Sequence, residues 1–194
     1  MAKQPKLDEK SDVELVRLTL EDQAVFACLI ERYEHQLTVY VRRISNFCEE
    51  DIEDVLQDVF IKVYRNLNGF DRSLKFSSWI YRITRNEVIS TFRKKSSRPQ
   101  SFGGEAAEII LEKMASDLDT KKAVDTEYLQ KNIYTILEKM DIKYKEVLVL
   151  RYLEEKDYNE ISDILKKPVG TVSTLLNRAK KNFKKELDKH EITF

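Results

Sequence analysis

The sequence predicts an all-α fold made of two small helical domains joined by a flexible linker. Three observations carry this. Only four Gly and three Pro are spread over 194 residues, too few breakers for a fold of short strands and tight turns. Apolar residues recur every three to four positions through most of the chain, the repeat of a helix with one buried face. Between residues 97 and 122 that rhythm lapses. SSRPQSFGGEAAEII there gathers a Pro, a Gly pair and small polar residues, as a linker does.

The first block, residues 10–96, holds three stripes. Phe26, Leu29, Ile30, Tyr33, Leu37, Tyr40, Val41 and Ile44 step along one helical face. After a break near Asn46, Ile52, Val55, Leu56, Val59, Val63 and Leu67 form a second stripe, which Gly69 is expected to close as a C-terminal cap. Phe76 to Trp79 opens a third, continuing through Ile80, Ile83, Val88 and Phe92. Three long helices of this kind bury their stripes against one another as a bundle. By period Trp79 shares the face of Ile80 and Ile83, so it is read as core.

The second block, residues 123–190, opens with Leu129, Ile133, Ile136, Leu137 and Met140, then Val147, Leu148, Leu150 and Leu153. Two shorter helices follow, Tyr158 to Leu165 and Gly170 to Leu187, separated by Lys166, Lys167, Pro168 and Val169. Pro168 stands where a helix start needs no N–H. Val172, Leu176, Ala179, Phe183 and Leu187 make the buried face of the last helix. Two helices joined by a short turn, the second one basic, describe a helix-turn-helix. The outward set is then Thr171, Ser173, Thr174, Asn177, Arg178 and Lys181, short polar and cationic side chains able to meet base edges and phosphates. Lys180, Lys184 and Lys185 flank them and add salt-dependent attraction to a polyanion. A surface hairpin with a solvated basic face fits the same pattern.

Formal net charge is zero, but the charges are segregated. Residues 49–58 carry six acids and no base; residues 82–98 carry six bases against Glu87 alone; residues 166–189 carry eight bases against two acids. One acidic strip and two basic ones suit a chain that holds a basic protein surface and a polyanion together. No run approaches the roughly twenty apolar residues that span a bilayer, and MAKQPKLDEK lacks the apolar centre of a signal peptide. A cytoplasmic location without membrane insertion is expected. Cys28 and Cys48, and His35 and His190, lack ligand spacing, so buried or half-buried thiols and no metal site are expected.

The stretch EKDYNEISDILKKPVGTVSTLLNRAKKNFKKEL resembles the region that reads the −35 promoter element in extracytoplasmic-function sigma factors, a branch of the sigma-70 family; PVGTV-x-x-x-L-x-RA is its strongest part. DIKYKEVLVLRYLEE resembles the helix pair before it, EDIEDVLQDVFIKVYRNLNGFD the family's polymerase-binding helix, and KFSSWIYRITRNEVISTFRKK its −10 reading and strand-opening helix. The matches fall in the family's order. The resemblance implies a subunit that binds core RNA polymerase, through the β′ coiled coil and the β flap, and directs it to promoter DNA. It also implies an anti-sigma factor as a further partner. Leu175 and Ser173 stand where relatives often carry Arg or Lys, which implies an altered or weaker −35 sequence.

Residue by residue, the resemblance assigns polymerase docking to Asp54, Gln57, Asp58 and Ile61, one face of a helix at i, i+3, i+4 and i+7. Acids near a helix start are also favoured by the macrodipole alone. It assigns −10 DNA to Asn68, Phe70, Lys75, Phe76, Ser77, Arg82, Arg85, Asn86 and Arg93, with the loop at Gly69 capturing a flipped base. The −35 set is the outward face of the last helix, and the linker, with Glu105, Glu108, Glu112, Asp117 and Asp119, runs through the polymerase channels. Two other functions fit parts of the chain. A self-sufficient helix-turn-helix regulator would need a dimer surface and a palindromic site, and leaves KFSSW unexplained. Asp51, Asp54 and Asp58 are spaced to hold Mg²⁺ as in prenyl-transfer enzymes, but no second acidic helix matches them. With no nucleophile–base pair and no Gly-rich phosphate loop, neither catalysis nor a cofactor is expected.

Overall fold

The computed structural model describes residues 7, 9–95 and 140–189. Among these there are seven α-helices and no strand. They divide into two compact units, Met1–Val41 with Phe47–Arg98, and Arg42–Asn46 with Pro99–Phe194. The linker at 97–122, its acids and the stripe from Leu129 to Leu137 lie outside the described residues.

The first unit has one helix more than the three expected. α1 (Asp12–Glu21) is short, yet Ser11 and Glu14 cap it reciprocally. The Glu14 amide donates to the Ser11 hydroxyl at 3.3 Å and the Ser11 amide to Glu14 Oε2 at 3.1 Å, satisfying two donors a helix start otherwise leaves orphaned. The Ser11 amide holds the Glu14 carboxyl below its ordinary value. Leu15 and Val16 are buried. Asp12 ties α1 to α2 (Phe26–Ile44), accepting from Arg32 at 2.6 Å and from the Tyr33 hydroxyl at 2.5 Å.

α2, α3 (Glu49–Arg65) and α4 (Phe76–Lys95) bury most of the expected stripes, but Ile30 and Ile83 are half-buried and Phe92, near the end of α4, is exposed against the Phe47 ring. Leu37, Tyr40 and Val41 of α2, Val59 and Val63 of α3, and Ile80 of α4 are fully enclosed, each such side chain contributing roughly 1.5–3 kcal/mol. The Tyr40 and Tyr81 rings meet at 4.8 Å, joining α2 to α4. Glu49, Glu50 and Asp51 occupy the first turn of α3, where the helix dipole favours acids. Gly69 does not close this helix. Asn66 does, and a 3-10 turn (Leu67–Gly69) follows without any positive-φ glycine. Cys28 is half-buried, but Cys48, expected at least partly covered, is exposed at the head of α3.

In the second unit, α5 (Ile142–Leu148) is capped by Asp141, whose side chain accepts from the Lys143 amide. It then widens into one π turn (Val149–Leu153), so Val147 to Leu150 are buried consecutively rather than at helical spacing. α6 (Tyr158–Leu165) starts on an Asp157–Glu160 capping box and ends on Lys166 in the left-handed region. The Ser162 hydroxyl donates to the Lys167 carbonyl at 2.6 Å across that bend. α7 (Val169–Lys189) follows at once, its first turn accepted by the Pro168 carbonyl.

Candidate nucleic-acid interface

Val172, Leu176, Ala179 and Phe183 of α7 are buried to within 1%, packed on α5 and α6. That packing fixes the rotation of the helix. Thr171, Thr174, Asn177, Arg178 and Lys181 are exposed and Ser173 is half-buried, so all six expected residues share the solvent face. Thr174 also donates to the Gly170 carbonyl at 2.9 Å, which steadies its oxygen. Lys180 leans back over the Tyr152 ring, 5.4 Å from its centroid. Lys143 of α5 was missed in the sequence. Its ammonium pairs with Asp141 at 2.7 Å. The Asp141 bond raises its pKa, and the Arg178 charge opposes that rise. Only the fold brings residues 143 and 178 together.

In the first unit, the segment from Asn68 to Ser77 delivers the chain from α3 to α4. Asn68 and Lys75 are exposed and Ser77 is half-buried. Two residues expected at DNA are buried. Phe70 is 6% exposed and Phe76 2%, because their rings pack edge to face at 5.4 Å and both lie against Trp79. Tyr33 of α2 closes the cluster on Phe76 at 5.5 Å. An apolar ring gains more from this packing than from water, so Phe70 and Phe76 shape the loop from inside. Trp79 is core, as its period indicated. Arg82 and Arg85 are half-buried along α4, while Asn86 and Arg93 are exposed. Beside them opens a pocket of about 530 Å³ lined by Lys62, Arg65, Gly69, Trp79, Asn86 and Glu87, among others.

On α3, Asp54, Gln57, Asp58 and Ile61 are all exposed, Ile61 to 42%. Tyr64, one turn further and 38% exposed, extends this stripe; its ring rests on Phe26 at 5.1 Å. Gln57 also borders a groove of about 460 Å³ between α2 and α3, rimmed by Glu34, Glu49 and Glu53 over Leu56 and Phe60. An acidic surface with apolar groups set into it suits a basic, partly apolar partner. Among the described residues no group of His, Cys, Asp and Glu gathers as a metal site.

Two family models match the chain, Sigma-70 region 2 over residues 29–98 and Sigma-70 region 4 over residues 130–183. The ECF RNA polymerase sigma factor SigW of Bacillus subtilis is 34% identical over 173 residues, 86% of this chain and 90% of that protein. The chain belongs to the extracytoplasmic-function sigma factors of the sigma-70 family. The ECF RNA polymerase sigma-E factor of Escherichia coli is 30% identical, with 84% of this chain and 87% of the relative covered. The fold is shared with CnrH, solved in complex with the cytosolic domain of CnrY. There the TM-score is 0.67 at 24% identity, over 93% of this chain and 99% of the other. It is shared too with the sigma factor RpoE of Bartonella quintana, solved with the anti-sigma factor NepR, at TM-score 0.59 and 20% identity over 84% and 96%.

This sigma factor therefore binds core RNA polymerase and directs it to promoters. Its region 2 match takes in α2, α3 and α4, and its region 4 match takes in α5, α6 and α7 as far as Phe183. α1, with its own cap and buried pair, precedes the region 2 match. No described helix is long and apolar enough to cross a membrane.

Proposed function

We propose that the two units divide the promoter between them. Residues 10–96 dock on the polymerase and open the −10 element, residues 123–190 read the −35 element, and residues 97–122 link them through the polymerase channels. One observation carries this: the charge is sorted along the elements, acids over the first turns of α3 and cations at its end, along α4 and along α7. The stripe Asp54, Gln57, Asp58 and Ile61 meets the β′ coiled coil, with Tyr64 added to it. Asn68, Lys75, Ser77, Arg82, Arg85, Asn86 and Arg93 meet −10 DNA, the arginines tracking phosphates while Phe70 and Phe76 hold the loop in shape. Thr171, Ser173, Thr174, Asn177, Arg178 and Lys181 enter the −35 major groove, and the second unit rests on the β flap. Catalysis belongs to the polymerase, and the factor works in the cytoplasm without cofactor or metal. Relatives of this fold solved with CnrY and NepR support an anti-sigma partner here as well.

The docking assignment is tested by changing Asp54 and Asp58 together to Lys and passing the variant over a sizing column with core polymerase. Both residues are exposed, so the isolated fold is unaffected. Reversing two charges at a desolvated interface costs roughly 2–5 kcal/mol, enough to abolish co-elution at micromolar concentration. Undiminished co-elution would move the docking surface off this face.

A further inference from the structure

Among the described residues, Lys166 and Glu155 are the non-glycine residues with a positive φ, 52° and 53°. Lys166 stands where α6 ends and the chain bends into α7, at φ 52° and ψ 49°. A Cβ in this left-handed region crowds the backbone carbonyl, so a helix that ends this way is most relaxed with glycine there. Lysine keeps the strain, and the fold gives its charge nothing in return. The Lys166 and Lys167 side chains are both exposed, and among the described residues neither ammonium sits in an ion pair. The bonds around them impose the bend. The Lys166 and Lys167 amides both donate to the Ser162 carbonyl, the second at 3.1 Å, and the Ser162 hydroxyl donates to the Lys167 carbonyl at 2.6 Å. The Pro168 carbonyl then accepts from the Thr171 amide at 2.8 Å and from the Val172 amide at 3.0 Å. Leu165 and Val172, both buried, anchor the two sides of the turn in the core. The two lysines therefore stand on a rigid frame just ahead of Thr171.

We propose that Lys166, with Lys167 beside it, binds a backbone phosphate at the rim of the −35 major groove, and that its left-handed backbone is retained to hold the ammonium there. This rests on the reading of α7 as the −35 recognition helix. A recognition helix enters the groove by its N-terminal residues. With side chains, an α-helix is about 10–12 Å across and the groove about 12 Å wide, so the helix fills it from wall to wall. The chain that delivers the helix has to cross the rim, and the rim is a row of phosphates. Here the crossing chain is Lys166 to Pro168. Glycine would relax this bend but bring no charge to it. A lysine ammonium on its flexible stem is a point charge that meets a phosphate oxygen without reading a base. Strain kept at one residue, in a helix that opens on a full capping box at Asp157 and Glu160, points to a use for the side chain it carries. Glu155, the other residue in this conformation, precedes α6 and has the sign that a phosphate repels.

The test uses the full chain with core polymerase on one promoter, for the natural protein, Lys166→Gly and Lys166→Arg. Promoter affinity is followed by fluorescence anisotropy over a series of salt concentrations, and each free protein is unfolded in urea under circular dichroism. Glycine relaxes the bend and removes the cation. In Lys166→Gly the urea midpoint of the second unit should therefore rise, while affinity falls about three- to tenfold and the salt slope drops by roughly one unit. Arginine keeps the cation, so Lys166→Arg should stay within about twofold of the natural affinity and keep its salt slope. In a library randomised over the −35 element, base preferences should be the same in all three proteins, because a phosphate contact carries no sequence information. A Lys166→Gly protein with the natural affinity and slope would overturn the proposal. So would a loss of affinity accompanied by a lower urea midpoint, which would make Lys166 a structural residue, or an equal loss in Lys166→Arg. In each of those cases a natural protein that still selects −35 bases upholds the α7 reading; no −35 preference in any of the three proteins would remove that reading too.

Discussion

Replacing Phe76 with Ala separates a residue that builds the −10 loop from one that touches DNA. Phe76 is 2% exposed and its ring meets three others, Phe70 at 5.4 Å, Tyr33 at 5.5 Å and Trp79 at 5.6 Å. Truncating a buried Phe to Ala costs about 3–5 kcal/mol, the upper end applying where rigid neighbours cannot collapse into the space. Here three rings from α2, the loop and α4 surround the site, so the upper end is expected. Against a domain stability of roughly 5–15 kcal/mol, that removes a third of it or more. Phe76→Leu keeps most of the volume and is expected to cost roughly 1–2 kcal/mol. The assay is urea unfolding followed by far-ultraviolet circular dichroism, on the full chain. The early transition of Phe76→Ala should move to much lower urea, while Phe76→Leu, kept below its midpoint, should still open promoters. A Phe76→Ala protein with the natural urea midpoint but no promoter opening would refute this reasoning and return the ring to the DNA.

Two further outcomes are expected from the second unit. Arg178→Ala should lose about 1–3 kcal/mol and relax preference at one −35 base pair, whereas Lys181→Ala should weaken all sequences alike and lower the salt slope by roughly one unit, as paired binding-site selections would reveal. A fragment of residues 123–194 should be helical by circular dichroism at room temperature and bind −35 duplex weakly, with affinity falling steeply as salt rises; an unfolded fragment would refute the boundary at 123.

The helix-turn-helix was legible almost to the residue because its signals are local. Tyr158 and Leu165 bound α6 as expected, and α7 starts at Val169, one residue before the expected Gly170. A cap, a proline and a 3.6-residue period each act within a few positions, and together they phase the helix and so its outward face. α1 was missed although Ser11 and Glu14 have capping-box spacing, because its buried pair, Leu15 and Val16, is too short a stripe to stand out by period. The π turn at Val149–Leu153 adds Val149 to the expected buried set of Val147, Leu148 and Leu150 and leaves Leu153 half-buried, because one wide turn shifts the face on which the later residues sit.

The burial that the sequence did not show around the −10 loop has a common physical origin. Phe70 lies outside any helix, so no period says which way its ring turns. What turns it inward is Trp79 at 5.3 Å, nine positions further along the chain. A loop aromatic among polar neighbours looks the same in sequence whether it waits for a base or anchors the loop. Glu87 failed in the opposite sense. In a count of charges it merely dilutes a basic stretch. In the fold its partner Lys62, 25 residues earlier and on another helix, holds it buried at the edge of a pocket. Charge counting assumes that every ionised side chain faces water, and that assumption fails where a helix packs closely on another, as α4 does on α3. A minority charge inside a one-sign stretch is thus worth more attention than the majority around it. Solvation accounts for the majority, whereas a buried ion pair has to offset its own desolvation through specific neighbours.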